Sequence, residues 1–281
     1  MLIAAALIVV LAGTATGDLC VAENDITGRG GEDPPPQGDL VRVNASGHGR
    51  RVVASGGLQD PVWVVSDATD THAYVGLFHA GQVVRVELAT GATQAVATGL
   101  SCPEGVGLDG RGNLFVVENP VGDECKGVNL TKSARLTKVD LSSGVKTTVA
   151  PLLSPHGMDV KCGGGGGGEG GGNSSSAEAG GCFAYVCEWG AHAVTRIGLT
   201  TGKKTVVGPV KSPSGCAVDV KGGYAYAIEQ GETDGQLLRL GLSGEKKPPF
   251  VLAKDLAGPM GVAVGEGYVY VAERIKNQIR R

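Results

Sequence analysis

Three observations predict an all-β fold, a six-bladed β-propeller of four-stranded antiparallel blades. A proline followed by a short apolar strand returns five times, and so does a strand closed by glutamate. No window carries the i, i+3, i+4, i+7 spacing of an amphipathic helix. Glycine, 48 of 281 residues, punctuates the whole chain as turns between short strands.

The first element is MLIAAALIVVLAGTATG, residues 1–17. An apolar run of about ten residues followed by small residues predicts a signal peptide, and it is too short to span a bilayer. No Lys or Arg precedes the run, so the alternative is that residues 5–11 form the first β-strand. Secretion is favoured by three sequons, at Asn44, Asn129 and Asn173, and by seven cysteines that match neither metal-site nor redox spacing.

The repeat follows. First strands open at Pro61, Pro103, Pro155, Pro213 and Pro259, at intervals of 42, 52, 58 and 46 residues. Second strands end on Glu23, Glu118, Glu188, Glu229 and Glu273, with Leu77 in the acid's place in the sixth copy. Each third strand has a basic residue in it: Arg42, Arg85, Lys138, Arg196, Arg239 and Arg280. Fourth strands resemble TxxVA, as in TQAVATG and KTTVAP. Four short strands at a period in the forties make a propeller blade. The first unit, about 18–57, shows strands two to four, and the last, 257–281, shows strands one to three. One domain therefore spans 18–281 after the leader. Each repeated Glu is expected to pair with the cation of the next strand: Glu23 with Arg42, Glu118 with Lys138, Glu188 with Arg196, Glu229 with Arg239 and Glu273 with Arg280. That makes the five acids scaffold.

Propeller topology assigns loops to faces. The residue after each repeated proline (Val62, Glu104, His156, Ser214, Met260) rings the channel mouth, and the insertions 24–39 and 119–133 emerge beside it. Cys102 and Cys125 share that face, and a disulfide there would tether the second insertion. The opposite face carries the Gly/Ser tract 163–181, which lacks the apolar residues to offset ordering and is expected to be disordered. Cys162 and Cys182 flank it at facing hairpin ends, and a disulfide closing ~20 residues contributes ~3 kcal/mol in the chain-entropy model. Cys187 and Cys216 are expected to approach each other from neighbouring blades, and Cys20 is left without a partner.

The pattern P-x-G-V-x-[VL]-D followed by L-[FY]-V-x-E resembles the NHL-repeat propellers (TolB/NHL-like) and the related gluconolactonase/regucalcin family, over nearly the whole chain from residue 18. The resemblance implies a divalent cation at the channel mouth, with two ligands at the x of P-x-G and a glutamate two residues before Pro-Val-Trp. Here His156 stands where that family favours Asn, Ser214 where it favours Asp, and Gln59 where the glutamate would be, beside Asp60. An NHL-type zinc lyase would need several histidines at the mouth, and of His48, His72, His79, His156 and His192 only His156 is placed there.

These residues give the candidate site: Glu104 and His156 as acid/base pair, Asp60, Glu104 and His156 as holders of one divalent cation such as Zn²⁺ or Mn²⁺, and Asp60, Val62, Ser214 and Met260 lining the ligand. The expected function is a secreted, monomeric, disulfide-bonded glycoprotein that binds a small molecule or extracellular protein at the mouth. The alternative is a metal-dependent hydrolase or lactonase at the same mouth. A net charge of −3 with no long basic run argues against nucleic acid as a partner.

Overall fold

The repeat folds as strands because each unit alternates apolar runs with glycine turns, and a lone four-stranded sheet has two apolar faces to bury. A computed structural model describes residues 6–12 (backbone only), 18–25, 37–44, 49–120, 133–163, 181–243, 248–265 and 267–281. Blade one is β1 (Ala6–Ala12), β2 (Leu19–Asp25), β3 (Gln37–Val43) and β4 (Arg50–Gln59). Blade two is β5 (Pro61–Ser66), β6 (His72–Leu77), β7 (Gln82–Glu87) and β8 (Thr93–Ala97). Blade three is β9 (Pro103–Leu108), β10 (Asn113–Glu118), β11 (Arg135–Asp140) and β12 (Lys146–Pro151). Blade four is β13 (Pro155–Cys162), β14 (Cys182–Glu188), β15 (Ala193–Gly198) and β16 (Lys204–Pro209). Blade five is β17 (Pro213–Asp219), β18 (Tyr224–Glu229), β19 (Gly235–Gly241) and β20 (Phe250–Leu256). Blade six has three strands among the described residues, β21 (Pro259–Gly265), β22 (Tyr268–Glu273) and β23 (Gln278–Arg280). The six-bladed, all-antiparallel architecture is the one the repeat predicts.

Burial falls outward along each blade. The second strand β10 is buried at five of its six residues, whereas the fourth strands β8, β12 and β16 are exposed until their last turn inward. Six apolar clusters occupy the six seams between blades. The seam between blades one and six joins Leu19, Val21 and Val41 to Ala263, Tyr270 and Ala272. Among the described residues the ring therefore closes by apolar packing, with no strand shared between first and last blade.

Strand β1 pairs with β2 along its length, from Ala6↔Asp25 to Ala12↔Leu19, and holds the innermost position of blade one beside β5 and β21. Residues 6–12 thus occupy the strand position that the N-terminal unit lacked in the sequence, within the segment expected as a leader.

Candidate functional site

The repeated glutamates solve a turn problem. Four residues just before a repeated proline have positive φ, namely Asp60 (50°), Cys102 (50°), Ser154 (43°) and Gly258 (57°). At these turns a backbone N–H falls outside the ladder and takes an acceptor, and the same bond recurs in blade five, where Ser212 is not left-handed. Ser101 N–H donates to Glu118 at 2.6 Å, Leu153 N–H to Glu188 at 2.8 Å, Lys211 N–H to Glu229 at 3.0 Å and Ala257 N–H to Glu273 at 2.7 Å. Each donor lies two residues before the proline of its own blade, so the glutamate ties the second strand to the turn that feeds the first. Blade two needs no acid because Gln59, at the corresponding place, still pairs with Gln37 in the β3–β4 ladder.

The acids are scaffold, but with one exception the expected cation partners are wrong. Arg280 does meet Glu273, at 3.2 Å. Otherwise Glu118 takes Arg135 at 2.7 Å, Glu188 takes Lys204 at 2.9 Å and Glu23 takes Arg50 at 2.5 Å. Register explains the error. Lys138, Arg196 and Arg239 stand opposite Phe115, Tyr185 and Tyr226, three residues before the glutamate. An odd offset on a strand puts a side chain on the other face. Arg196 accordingly lies over the Phe183 ring at 4.8 Å and Arg239 over Tyr224 at 4.5 Å, while Arg42 bridges Asp18 and Asp70.

At the mouth the structure brings Glu104 and His156 together, with His156 Nδ1 3.2 Å from Glu104 Oε2. The His156 ring also packs against Trp189, centroids 5.5 Å apart, and Trp189 is 37% exposed. Asp60 does not join them. Its left-handed backbone turns the carboxylate into the seam, where it is 4% exposed, hydrogen-bonded by the Asn24 side-chain amide and 2.5 Å from His79 Nδ1, at an angle poor for a hydrogen bond. The expected cation triad is therefore not assembled, and no group of three His, Cys, Asp or Glu among the described residues is placed to hold a metal. Ser214 is buried and its hydroxyl donates to the Met260 carbonyl at 3.3 Å. Val62 is buried, and Met260 is half-buried, with Gln230 Nε2 3.0 Å from its sulfur.

The glycine of P-x-G explains how these residues reach the axis. A Cβ on Gly105, Gly157 or Gly215 would stand 3.0, 2.8 or 2.5 Å from the carbonyl of His156, Ser214 or Met260 respectively. First strands of successive blades approach too closely for a side chain there. Blade two breaks the pattern with Trp63. Its ring crosses the channel to blades four and five, so that a Cβ on Gly157 would lie 2.1 Å from its Cη2 and one on Gly215 3.4 Å away. Trp63 is 5% exposed, and its indole N–H is buried with no hydrogen-bond partner. One tryptophan among four glycines at the same repeat position is the sequence signal for this channel-filling ring. Trp63 thus fills the channel, and Glu104, His156 and Trp189 gather on the mouth face.

No protein-family model matches the chain, and no curated protein sequence matches it. A chain from the crystal structure of a nidogen/laminin complex superposes with a TM-score of 0.64 at 11% identity, covering 98% of this chain and 87% of that one. The likeness is one of fold. It is carried by blade geometry and leaves the rim residues to be read by themselves.

The disulfide Cys162–Cys182 forms at the paired ends of β13 and β14. Cys102 is disulfide-bonded, and Cys125, its expected partner, lies outside the described residues. Cys187 and Cys216 do approach each other, as hydrogen-bonded free thiols, and burial with that contact pushes the Cys187 thiol well up. Of the sequons, Asn44 closes β3, half-buried, and Asn129 and Asn173 lie outside the described residues. So does the Gly/Ser tract, except Gly163 and Gly181, whose backbone bond (2.9 Å) extends the hairpin. No described helix is long and apolar enough to cross a membrane.

Proposed function

We propose that this chain is a secreted, monomeric β-propeller that binds a small molecule or an extracellular protein at its channel mouth. The observation that carries the reading is the rim constellation of an acid, an imidazole and a half-exposed indole, Glu104, His156 and Trp189. Exposed tryptophan beside a charge-bearing pair is the composition of an interface anchor, where burying the ring gives affinity and the polar pair gives orientation. The fold likeness supports a binding role in general, since the matched chain was crystallised in a nidogen/laminin complex. The resemblance of the repeat to NHL and gluconolactonase/regucalcin propellers supports the same face.

A second reading, a divalent-metal hydrolase or lactonase at the mouth, is favoured by one observation: Glu104 and His156 supply two adjacent ligands or an acid/base pair. Metal content of the purified protein, measured beside Glu104→Ala and His156→Ala, separates the two. Metal-free protein with folded variants supports the binding module. Stoichiometric metal lost in both variants overturns it in favour of the enzyme.

A further inference from the structure

The repeat sets up a comparison among its six third-strand cations. Arg42 is ion-paired to Asp18 and Asp70, Arg85 donates to the Gln94 side chain, and Arg280 meets Glu273. Arg196 and Arg239 lie over aromatic rings. Lys138 alone of the six has no acidic, amide or ring partner among the described residues. It does not stand on open surface. It lines a cleft of about 470 Å³ between blades three and four, on the face opposite the mouth.

The rest of the cleft has the same character. Arg111 lines it, its backbone N–H held by Asp109 at 2.7 Å and its guanidinium without a partner among the described residues. The Asp109 carboxylate also lines the cleft and accepts from Asn113 N–H (3.1 Å) and Asn113 Nδ2 (2.6 Å) of its own turn. Thr147, opposite Lys138 in the ladder, and Thr200 also line the cleft, their hydroxyls without partners among the described residues. The walls are fixed. Cys162 Sγ, in its disulfide with Cys182, lies 3.3 Å from the Asp109 carbonyl, where blade four touches the blade-three turn. Gly202, at φ 66°, brings the β15–β16 turn so near that a Cβ would lie 2.4 Å from the Val149 carbonyl.

We infer that this cleft is an oxyanion site, which takes the sulfate or phosphate ester of a small hydroxylated ligand. A guanidinium, an ammonium and hydroxyl donors on pre-fixed walls are what a tetrahedral oxyanion requires, and the volume suits a ligand of monosaccharide to disaccharide size. The site lies on the opposite face from the mouth and is independent of it.

The test titrates the full oxidised chain with inorganic sulfate, inorganic phosphate and, at matched ionic strength, chloride, read by amide NMR shifts around Asn113, Lys138 and Thr200. Saturable shifts confined to the cleft, with Kd on the order of 1 mM for at least one oxyanion and none for chloride, are expected. The stronger of the two anions says which ester the site prefers. Lys138→Ala weakens binding at least tenfold, Lys138→Arg restores it, and Lys254→Ala in blade five leaves it unchanged. Linear shifts shared with chloride, or saturable binding that survives Lys138→Ala in a folded protein, overturn the inference.

Discussion

Replacing Glu118 tests the idea that the repeated acids hold first strands in place. Its carboxylate is 1% exposed and accepts from Ser101 N–H (2.6 Å), Arg135 Nε (2.9 Å), Arg135 Nη2 (2.7 Å) and the Thr137 hydroxyl. Glu118→Ala leaves the Arg135 guanidinium, 16% exposed, without its counter-charge and orphans a buried N–H at the turn into β9. Breaking one side of a buried pair costs ~3–5 kcal/mol, and an unsatisfied buried donor ~1–3 kcal/mol. The two losses share one side chain and do not add, so about 4 kcal/mol is expected, a large part of the ~5–15 kcal/mol that holds a domain together. Glu118→Gln keeps one acceptor and the shape, and should cost about half as much. The exposed Glu87→Gln, which gives up only a surface contact with Thr90, should fall within ~0.5 kcal/mol of wild type. Urea unfolding of the three variants reads this directly. If Glu118→Ala matched the Glu87 control, the turn-tying role would be refuted.

Other expectations are as direct. Burial alone would raise the Glu273 carboxyl, but the Ala257 N–H, the Gln278 amide, Arg280 and Lys276 outweigh it and hold the folded value below the ordinary 4.5. A lowered folded value gives stability present above 4.5 and lost as pH falls through the folded value. Acid unfolding should therefore flatten in Glu273→Gln, and an unchanged acid limb would contradict the assignment. Burial, helped by Asp70, pushes the Cys20 thiol up to about 12, and Cys187 and Cys216 are buried, so all three should resist alkylation at pH 8 until denaturant is added. Peptide mapping without reductant should recover Cys162 linked to Cys182, and free thiols there would contradict the fold of blade four. Gly157→Ala forces a methyl against the Trp63 ring and the Ser214 carbonyl and should cost ~1–3 kcal/mol, read by thermal unfolding.

The blades were legible because each is a local event: a proline, an alternating strand, a glycine turn and a glutamate, repeated with small variation. The repeated glutamates could be read as scaffold on the same ground, since copies spread around a ring do not make one site. Their partners could not be read, because the deciding contact is with a backbone N–H that has no sequence signature. The proposed cations also sat at an odd offset, on the far face of the strand. Asp60 was misplaced for a similar reason, as its left-handed φ turns the carboxylate into the seam toward Asn24 and His79. The meeting of Glu104 with His156 followed from topology alone, since both occupy the x of P-x-G on adjacent blades. Trp189 was missed as part of that group because it follows a second strand, and only the folded loop lays it against His156. Lys138 looked like five other cations until their partners were in view.

The central claim is that the rim of the mouth is the working surface. A displayed library of extracellular protein domains and peptides, selected in parallel on wild type and on a Glu104→Ala/His156→Ala variant of matched thermal stability, tests it most directly. The account predicts a set of binders that hold wild type and lose at least tenfold in affinity for the variant, with Trp189→Ala weakening the same set. Binders that hold both proteins equally would contradict it.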